Sequence, residues 1–134
     1  MYYRKLDNYK YQTLQHMSCE LPKDLFVNLP QGGRICTEHE YVCLELGLRS
    51  IQIKKGYCWD GPSGPTIDTD NFMRGSLFHD GWYQLMREYG SFYFQWRDDA
   101  DRLLQRICRE DGMSRLRAQW VYWGVKTFGR RAAS

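Results

Sequence analysis

A histidine, an aspartate and a tyrosine stand close together in the segment "SLFHDGWYQLM", at His79, Asp80 and Tyr83. Helical spacing puts His79 and Tyr83 on one face, because residues four apart return to the same side of a 3.6-residue turn. Asp80 projects about 100° away, so it is expected to meet other neighbours. A histidine can act as a general base near neutral pH if a carboxylate fixes its tautomer and stabilises the charge it acquires.

The segment "RDDADRLLQRIC" contains the candidates for that second carboxylate. Asp101 lies beside the apolar face of this predicted helix, and Asp98 lies three residues earlier on almost the same side. Two antiparallel helices joined by a short turn would bring Asp101 or Asp98 level with His79. The pattern therefore predicts a His–Asp pair between two helices.

A glycine- and proline-rich loop, "GYCWDGPSGPT", precedes the first helix. Gly56, Gly61 and Gly64 allow a tight turn whose carbonyls point inward. Backbone carbonyls and one or two carboxylates are the ligands of a hard cation such as Ca²⁺. Asp80 is a candidate for this role, and Asp60 could add a second carboxylate.

A zinc site is a weaker alternative. The segment "CTEHEYVC" supplies Cys36, His39 and Cys43, with Cys58 as a fourth ligand. These residue types suit Zn²⁺, but their spacing is not that of a tight zinc knuckle, and Cys43 falls in a strand-like run. Otherwise these cysteines are small core residues.

The elements that position these residues change type halfway along the chain. Short alternating runs separated by turns predict strands in the first half, and helical spacing dominates the second. The predicted divisions of a single domain, 1–134, are a strand-rich segment over 1–56, a metal-type loop over 57–70, three helices within 71–129 and a basic tail over 130–134. The expected fold is α+β: a small antiparallel sheet, a loop and a three-helix half.

The helix boundaries follow from capping signals. The three helices are predicted from Asp70 or Asn71 to Gly90, from Phe92 to Glu110 and from Ser114 to Gly129. Leu116, Trp120 and Trp123 form the apolar stripe of the third helix. Packing in the core is favoured over a membrane-interface surface for the chain's many aromatic rings.

Composition narrows the function classes. The 134 residues carry 19 Lys and Arg against 16 Asp and Glu, and a net charge of +3 is too weak for a nucleic-acid footprint. The first residues form no apolar leader, and no run reaches membrane-spanning length. With five cysteines in no dense framework, these features indicate free thiols in a reducing cytoplasm.

The order "YCWDGPSGPT", "LFHDGWY" and "ADRLLQRIC" resembles the calcium loop and the two catalytic helices of the secreted phospholipase A2 superfamily. The resemblance implies that His79 activates water to attack the sn-2 ester of a phospholipid, that Asp101 orients His79, and that Tyr83 hydrogen-bonds Asp101. Calcium would polarise the ester carbonyl. The complete set of expected metal ligands is Asp80, Asp60 and the carbonyls near Trp59, Gly61 and Gly64. Gly75, Ser76 and Trp82 stand where those enzymes have cysteines, so their disulfide framework is absent.

Nearly the whole chain also resembles a family of unknown function from tailed-phage and prophage genomes, the DUF1353-like proteins. The matching segments are "GYCWDGPSGP", "SLFHDGWYQLM", "DDADRLL" and "YWGVKTFG". The resemblance implies a phage origin and assigns no activity.

Together the two resemblances imply a phage-encoded, phospholipase A2-like lipid esterase that uses Ca²⁺ and acts on phospholipid at a membrane surface. The alternative is a non-enzymatic virion or accessory protein that keeps the scaffold and docks on phage structural proteins. Either would act in the host cytoplasm or in the virion, with no signal peptide and no transmembrane segment.

Overall fold

The computed structural model describes residues 1–6, 11–61, 69–90 and 95–128. The chain divides into two compact units, Met1–Asp60 and Gly61–Ser134. The first contains strands and the second contains helices, so the predicted α+β class is confirmed.

The first unit is built from short antiparallel strands. They are β1 Tyr3–Lys5, β2 Tyr11–Thr13, β3 Met17–Glu20, β4 Arg34–Cys36, β5 Val42–Glu45, β6 Ser50–Ile53 and β7 Cys58–Trp59. They form two sheets, with strand orders β1-β2-β7 and β3-β6-β5-β4. The single small sheet expected from the sequence is therefore corrected to two. A turn-rich sequence shows where strands end, but it does not show which strands pair.

The four-stranded sheet follows from its residue pattern. In β3 the side chains alternate between buried and exposed, as a half-buried strand requires. The central strands β5 and β6 place Val42, Leu44, Ile51 and Ile53 in the core, all fully buried. β-branched and aliphatic side chains of this kind favour the pleated, buried surface of a sheet.

Cys36 and Cys43 are directly opposite each other on β4 and β5. The structure joins them in a disulfide bond, whereas Cys19, Cys58 and Cys108 are in no disulfide. The expectation that all five cysteines are free is thus wrong for this pair. The pairing of β4 with β5 brings the two side chains together. The spacing of the cysteines along the sequence does not predict this pairing.

Three helices make up the second unit: α1 Asp70–Tyr89, α2 Arg97–Glu110 and α3 Arg115–Phe128. The helix α1 ends where predicted, at Gly90, which has a positive φ of 71°. Ser114 caps α3 as expected, because its Oγ accepts the Arg117 backbone N–H at 3.2 Å. The expected start of the second helix, near Phe92, lies outside the described residues, but Gln95 and Trp96 form a turn and α2 begins at Arg97, so the predicted start was too early. Within the described residues, no helix is both long and apolar enough to cross a membrane.

The aromatic residues expected to pack in the core include some that α3 exposes. Leu116, Trp120 and Trp123 are 73%, 73% and 55% exposed, so they are not core residues. The buried positions of α3 are instead Ala118, Val121 and Tyr122. The helix carries apolar residues on two sides, and periodicity alone does not say which side packs against the core.

Close packing of α1 on α2 depends on Gly75. A Cβ atom at this position would lie 2.9 Å from Leu104 Cδ1, 3.0 Å from Cys108 Sγ and 3.3 Å from the Leu104 carbonyl oxygen. Leu104 and Cys108 belong to a buried cluster with Phe72, Met113, Ala118 and Val121. The contact at Gly75 therefore sets how closely the two helices approach each other.

We expect Gly75→Val to lower the free energy of unfolding by about 1–3 kcal/mol, since overpacking a filled core costs this much. Gly124→Ala is the matched control, because a Cβ there meets nothing within 4 Å. It should stabilise α3 by about 0.5–1 kcal/mol through helix propensity. Urea unfolding followed by circular dichroism measures both. Equal effects at the two positions would contradict the packing described here.

Candidate active site

A buried hydrogen bond links His79 on α1 to Asp101 on α2. The His79 Nε2 atom lies 2.7 Å from Asp101 Oδ1. The Asp101 side chain is fully buried and His79 is 8% exposed. The carboxylate can only accept, so Nε2 carries the proton that is donated. In the neutral ring, Nδ1 therefore holds the lone pair that could take a proton.

Tyr83 completes the contact on the same carboxylate oxygen. Its hydroxyl donates to Asp101 Oδ1 at 2.6 Å. One helical turn separates Tyr83 from His79, and their ring centroids are 4.1 Å apart. Burial, followed by the negative charge of Asp101, raises the pKa of Tyr83, so it stays a neutral donor. The three residues predicted as catalytic are thus brought together in one unit.

Arg97 forms an ion pair with the other oxygen of the Asp101 carboxylate. Its Nη1 lies 3.5 Å from Asp101 Oδ2, one turn earlier on α2. Within the described residues this Oδ2 has no hydrogen bond, so the ion pair supplies its charge compensation. The role of Arg97 was not predicted from the sequence, although the Arg-x-x-x-Asp spacing in "RDDAD" places Arg97 and Asp101 on the same side of a helix.

The surroundings of His79 favour its protonated form. Burial on its own lowers the pKa of His79, but the hydrogen bond and charge of Asp101, together with Asp80, more than offset this effect and raise it. The two carboxylates stand at different ring atoms, since His79 Nδ1 lies 4.0 Å from Asp80 Oδ1. That distance is too long for a hydrogen bond, so Asp80 acts through its charge. An imidazolium formed at His79 is therefore stabilised from both sides.

Asp98, the competitor for the histidine, has a separate set of partners. It accepts a hydrogen bond from the Tyr122 hydroxyl at 2.6 Å and from Arg102 Nε at 2.9 Å. Burial raises the pKa of Asp98, but these two bonds outweigh burial and the net pKa is lowered. Asp98 thus links α2 to α3. Of the two candidate aspartates on α2, it is Asp101 that hydrogen-bonds His79. The role of Tyr122 was not foreseen from the sequence.

Asp80 is the predicted side-chain metal ligand in the second unit. Its side chain is 31% exposed and lies on the Nδ1 side of His79. A partly exposed carboxylate is a suitable oxygen ligand for a hard cation. The donor type therefore fits calcium. Among the described residues, no group of three or more His, Cys, Asp or Glu side chains could hold a metal ion.

The other predicted metal ligands are spread over the two units. Trp59 is buried and Asp60 is exposed, and both end the first unit. Gly61 opens the second unit with a positive φ of 77°, while Gly64 lies outside the described residues. The calcium set of Asp80, Asp60, Trp59, Gly61 and Gly64 stays a prediction.

The zinc alternative receives no support from the first unit. Cys36 and Cys43 share a disulfide, and zinc requires thiolates. His39 lies in a short 3₁₀ turn, Glu38–Glu40, with its side chain 77% exposed. Cys58 belongs to the other sheet.

No protein-family model, no curated protein and no solved structure matches the chain. The class of the protein rests on its fold and site. It is an α+β protein whose helical unit buries a His–Asp–Tyr network, and the base-competent ring nitrogen faces a partly exposed carboxylate.

Proposed function

We propose that this chain is a phage-encoded, phospholipase A2-like hydrolase of a phospholipid ester, with His79 as the general base. One observation carries the proposal. His79 Nε2 is engaged by the buried Asp101, which leaves Nδ1 as the basic atom on the side of Asp80. The proposal places the protein in the host cytoplasm or the virion.

The chemistry assigned to the chain is a proton transfer at one atom. Nδ1 removes a proton from water, and the water oxygen forms a bond to the ester carbonyl carbon. When the ester C–O bond breaks, the proton passes from His79 to the departing alkoxide oxygen. Asp101 accepts the Nε2 proton, which fixes the tautomer of the neutral ring and stabilises the imidazolium after proton transfer, while Tyr83 donates to the same carboxylate oxygen.

Calcium is the cofactor of this proposal, and Asp80 would hold it. A bound divalent cation polarises an ester carbonyl and stabilises the negative charge that develops on its oxygen. Asp80 also has an effect without metal, since its charge helps to raise the pKa of His79.

Calcium titration by calorimetry, with fatty-acid release from phospholipid vesicles followed in the same samples, tests the proposal. We expect the native chain to bind calcium and release fatty acid only with calcium present. Asp80→Asn should abolish both, because a hard cation loses its carboxylate ligand. Asp24→Asn makes the same charge change in the first unit and should alter neither. Absence of both binding and release in the native chain would contradict the proposal.

A non-enzymatic virion or accessory protein is the second candidate. It is favoured by the exposed Leu116, Trp120 and Trp123 on α3, which would suit a docking role on phage structural proteins. Under this candidate the His–Asp–Tyr network stabilises the helix pair, and no ester is hydrolysed under any calcium concentration.

A further inference from the structure

The helix α3 exposes a continuous apolar stripe within the second unit. Leu116, Trp120 and Trp123 are spaced four and three residues apart, so they lie within about 60° of one another around the helix. We call these three residues the α3 stripe. Trp120 and Trp123 are 73% and 55% exposed. Two adjacent exposed tryptophans are unusual on a surface that meets only water.

The charged residues of α3 and of the sequence that follows it have a single sign. The sequence from Ser114 to Ser134 contains five basic residues and no Asp or Glu. The basic residues are Arg115, Arg117, Lys126, Arg130 and Arg131. The Lys126 Nζ atom lies 5.6 Å from the centroid of the Trp123 ring, so positive charge stands directly at the edge of the stripe. The nearby acid Asp98 is already paired with Arg102 and Tyr122.

We infer that the α3 stripe lies on an anionic lipid surface, with Trp120 and Trp123 at the level of the headgroups. A helix with one aromatic and aliphatic face, edged by Arg and Lys and containing no acids, has the character of an interfacial helix. Tryptophan suits this position because its ring is apolar and its indole N–H can hydrogen-bond. The basic edge complements the negative potential of anionic lipids.

A second copy of the chain is a poorer occupant for the same surface. An isologous contact would place the basic edge of one α3 against that of the other. Like charges so close oppose association, whereas an anionic bilayer neutralises them. The inference concerns binding only, so it does not depend on hydrolysis by His79.

Vesicle sedimentation and tryptophan fluorescence test this inference. The native chain, with a calcium chelator to prevent turnover, is mixed with phosphatidylcholine vesicles that contain or lack phosphatidylglycerol. We expect binding to the anionic vesicles, with a blue shift of tryptophan emission. Raising the salt concentration from about 0.1 M to about 0.5 M should weaken vesicle binding, because the Debye length shortens and the attraction between basic side chains and anionic lipid is screened. No binding to anionic vesicles, or equal binding to both kinds, would overturn the inference.

Variants locate the binding surface. Trp120→Ser combined with Trp123→Ser should weaken vesicle binding at least about tenfold and remove the blue shift. Leu48→Ser changes a residue in the first unit that is 77% exposed, and it should bind like the native chain. Lys126→Gln should weaken binding about fivefold, while Lys55→Gln, the same charge change in the first unit, should not. If the double tryptophan variant bound vesicles as well as the native chain, the assignment of the lipid-binding surface to α3 would be wrong.

The same variants separate this inference from the proposed function. Hydrolysis of a short-chain phospholipid below its micelle concentration needs no surface, so the double tryptophan variant should retain it if the ester chemistry holds. A native chain that binds anionic vesicles but hydrolyses no ester would support the surface and refute the enzyme. Each exposed-site variant should keep the secondary structure and thermal unfolding of the native chain. This control would show that a loss of vesicle binding does not come from a loss of folding.

Discussion

Replacement of Asp101 by alanine should lower the free energy of unfolding by about 3–5 kcal/mol, because removal of one partner from a buried ion pair leaves the other uncompensated. The side chain is fully buried and is shared by His79, Tyr83 and Arg97. A domain of this kind is stable by about 5–15 kcal/mol, so the loss is a large fraction of the total. Denaturant unfolding at neutral pH measures it.

Asp101→Asn is the matched variant, since it keeps the shape and one acceptor oxygen but removes the charge. It should cost less stability than alanine. It should also lower the pKa of His79, because burial then opposes the charged ring with only Asp80 in support. Proton NMR titration of the His79 ring reads this directly, and an unchanged His79 pKa would contradict the role given to Asp101.

The pH dependence of stability has a definite sign. The folded-state pKa of His79 is raised. The stabilisation that this shift gives to the folded state is therefore fully present below the unfolded-state pKa of about 6.5. That contribution is lost as the pH rises through the folded pKa. The native chain should therefore lose stability as the pH rises above about 6.5, and Asp101→Asn should no longer show this loss.

The second large effect is expected at His79 itself. His79→Gln should reduce ester hydrolysis by about 10²- to 10⁴-fold, the usual contribution of a general base. The glutamine amide can still donate to Asp101, so the fold should persist. His16→Gln is the control, because His16 is bonded to Gln52 in the first unit and has no role in the proposed site.

The pH profile separates a base from a structural histidine. A base must be neutral, so kcat/KM of the native chain should rise with pH through the raised pKa of His79. Asp101→Asn should move this rise to lower pH, and His79→Gln should remove it. If His79→Gln retained full turnover with a native profile, the histidine would be a scaffold residue and the docking role would be favoured.

Local patterns in the sequence were sufficient for the helices and for some of the site. Capping signals placed the end of α1 at Gly90 and the cap of α3 at Ser114 because these depend on neighbouring residues only. The four-residue spacing put His79 and Tyr83 on one face for the same reason. The α+β class followed from the change between strand-like and helical periodicity.

Only the tertiary structure shows which of two equivalent aspartates is the partner of His79. Asp98 and Asp101 lie on nearly the same side of α2, and the crossing of α1 and α2 at Gly75 decided that Asp101 meets His79. Periodicity could not make this choice, because it gives the face of a helix but not the height at which a neighbour crosses it.

The exposed side of α3 and the pairing of strands have the same explanation. A sequence can show that Trp120 and Trp123 share a stripe, but whether that stripe is buried depends on which side α2 covers. Likewise, Cys36 and Cys43 became neighbours through the register of β4 and β5. The sequence by itself determined the residue types and local geometry of the His–Asp–Tyr network. Long-range packing decided its partners, since contacts between distant segments depend on the whole chain.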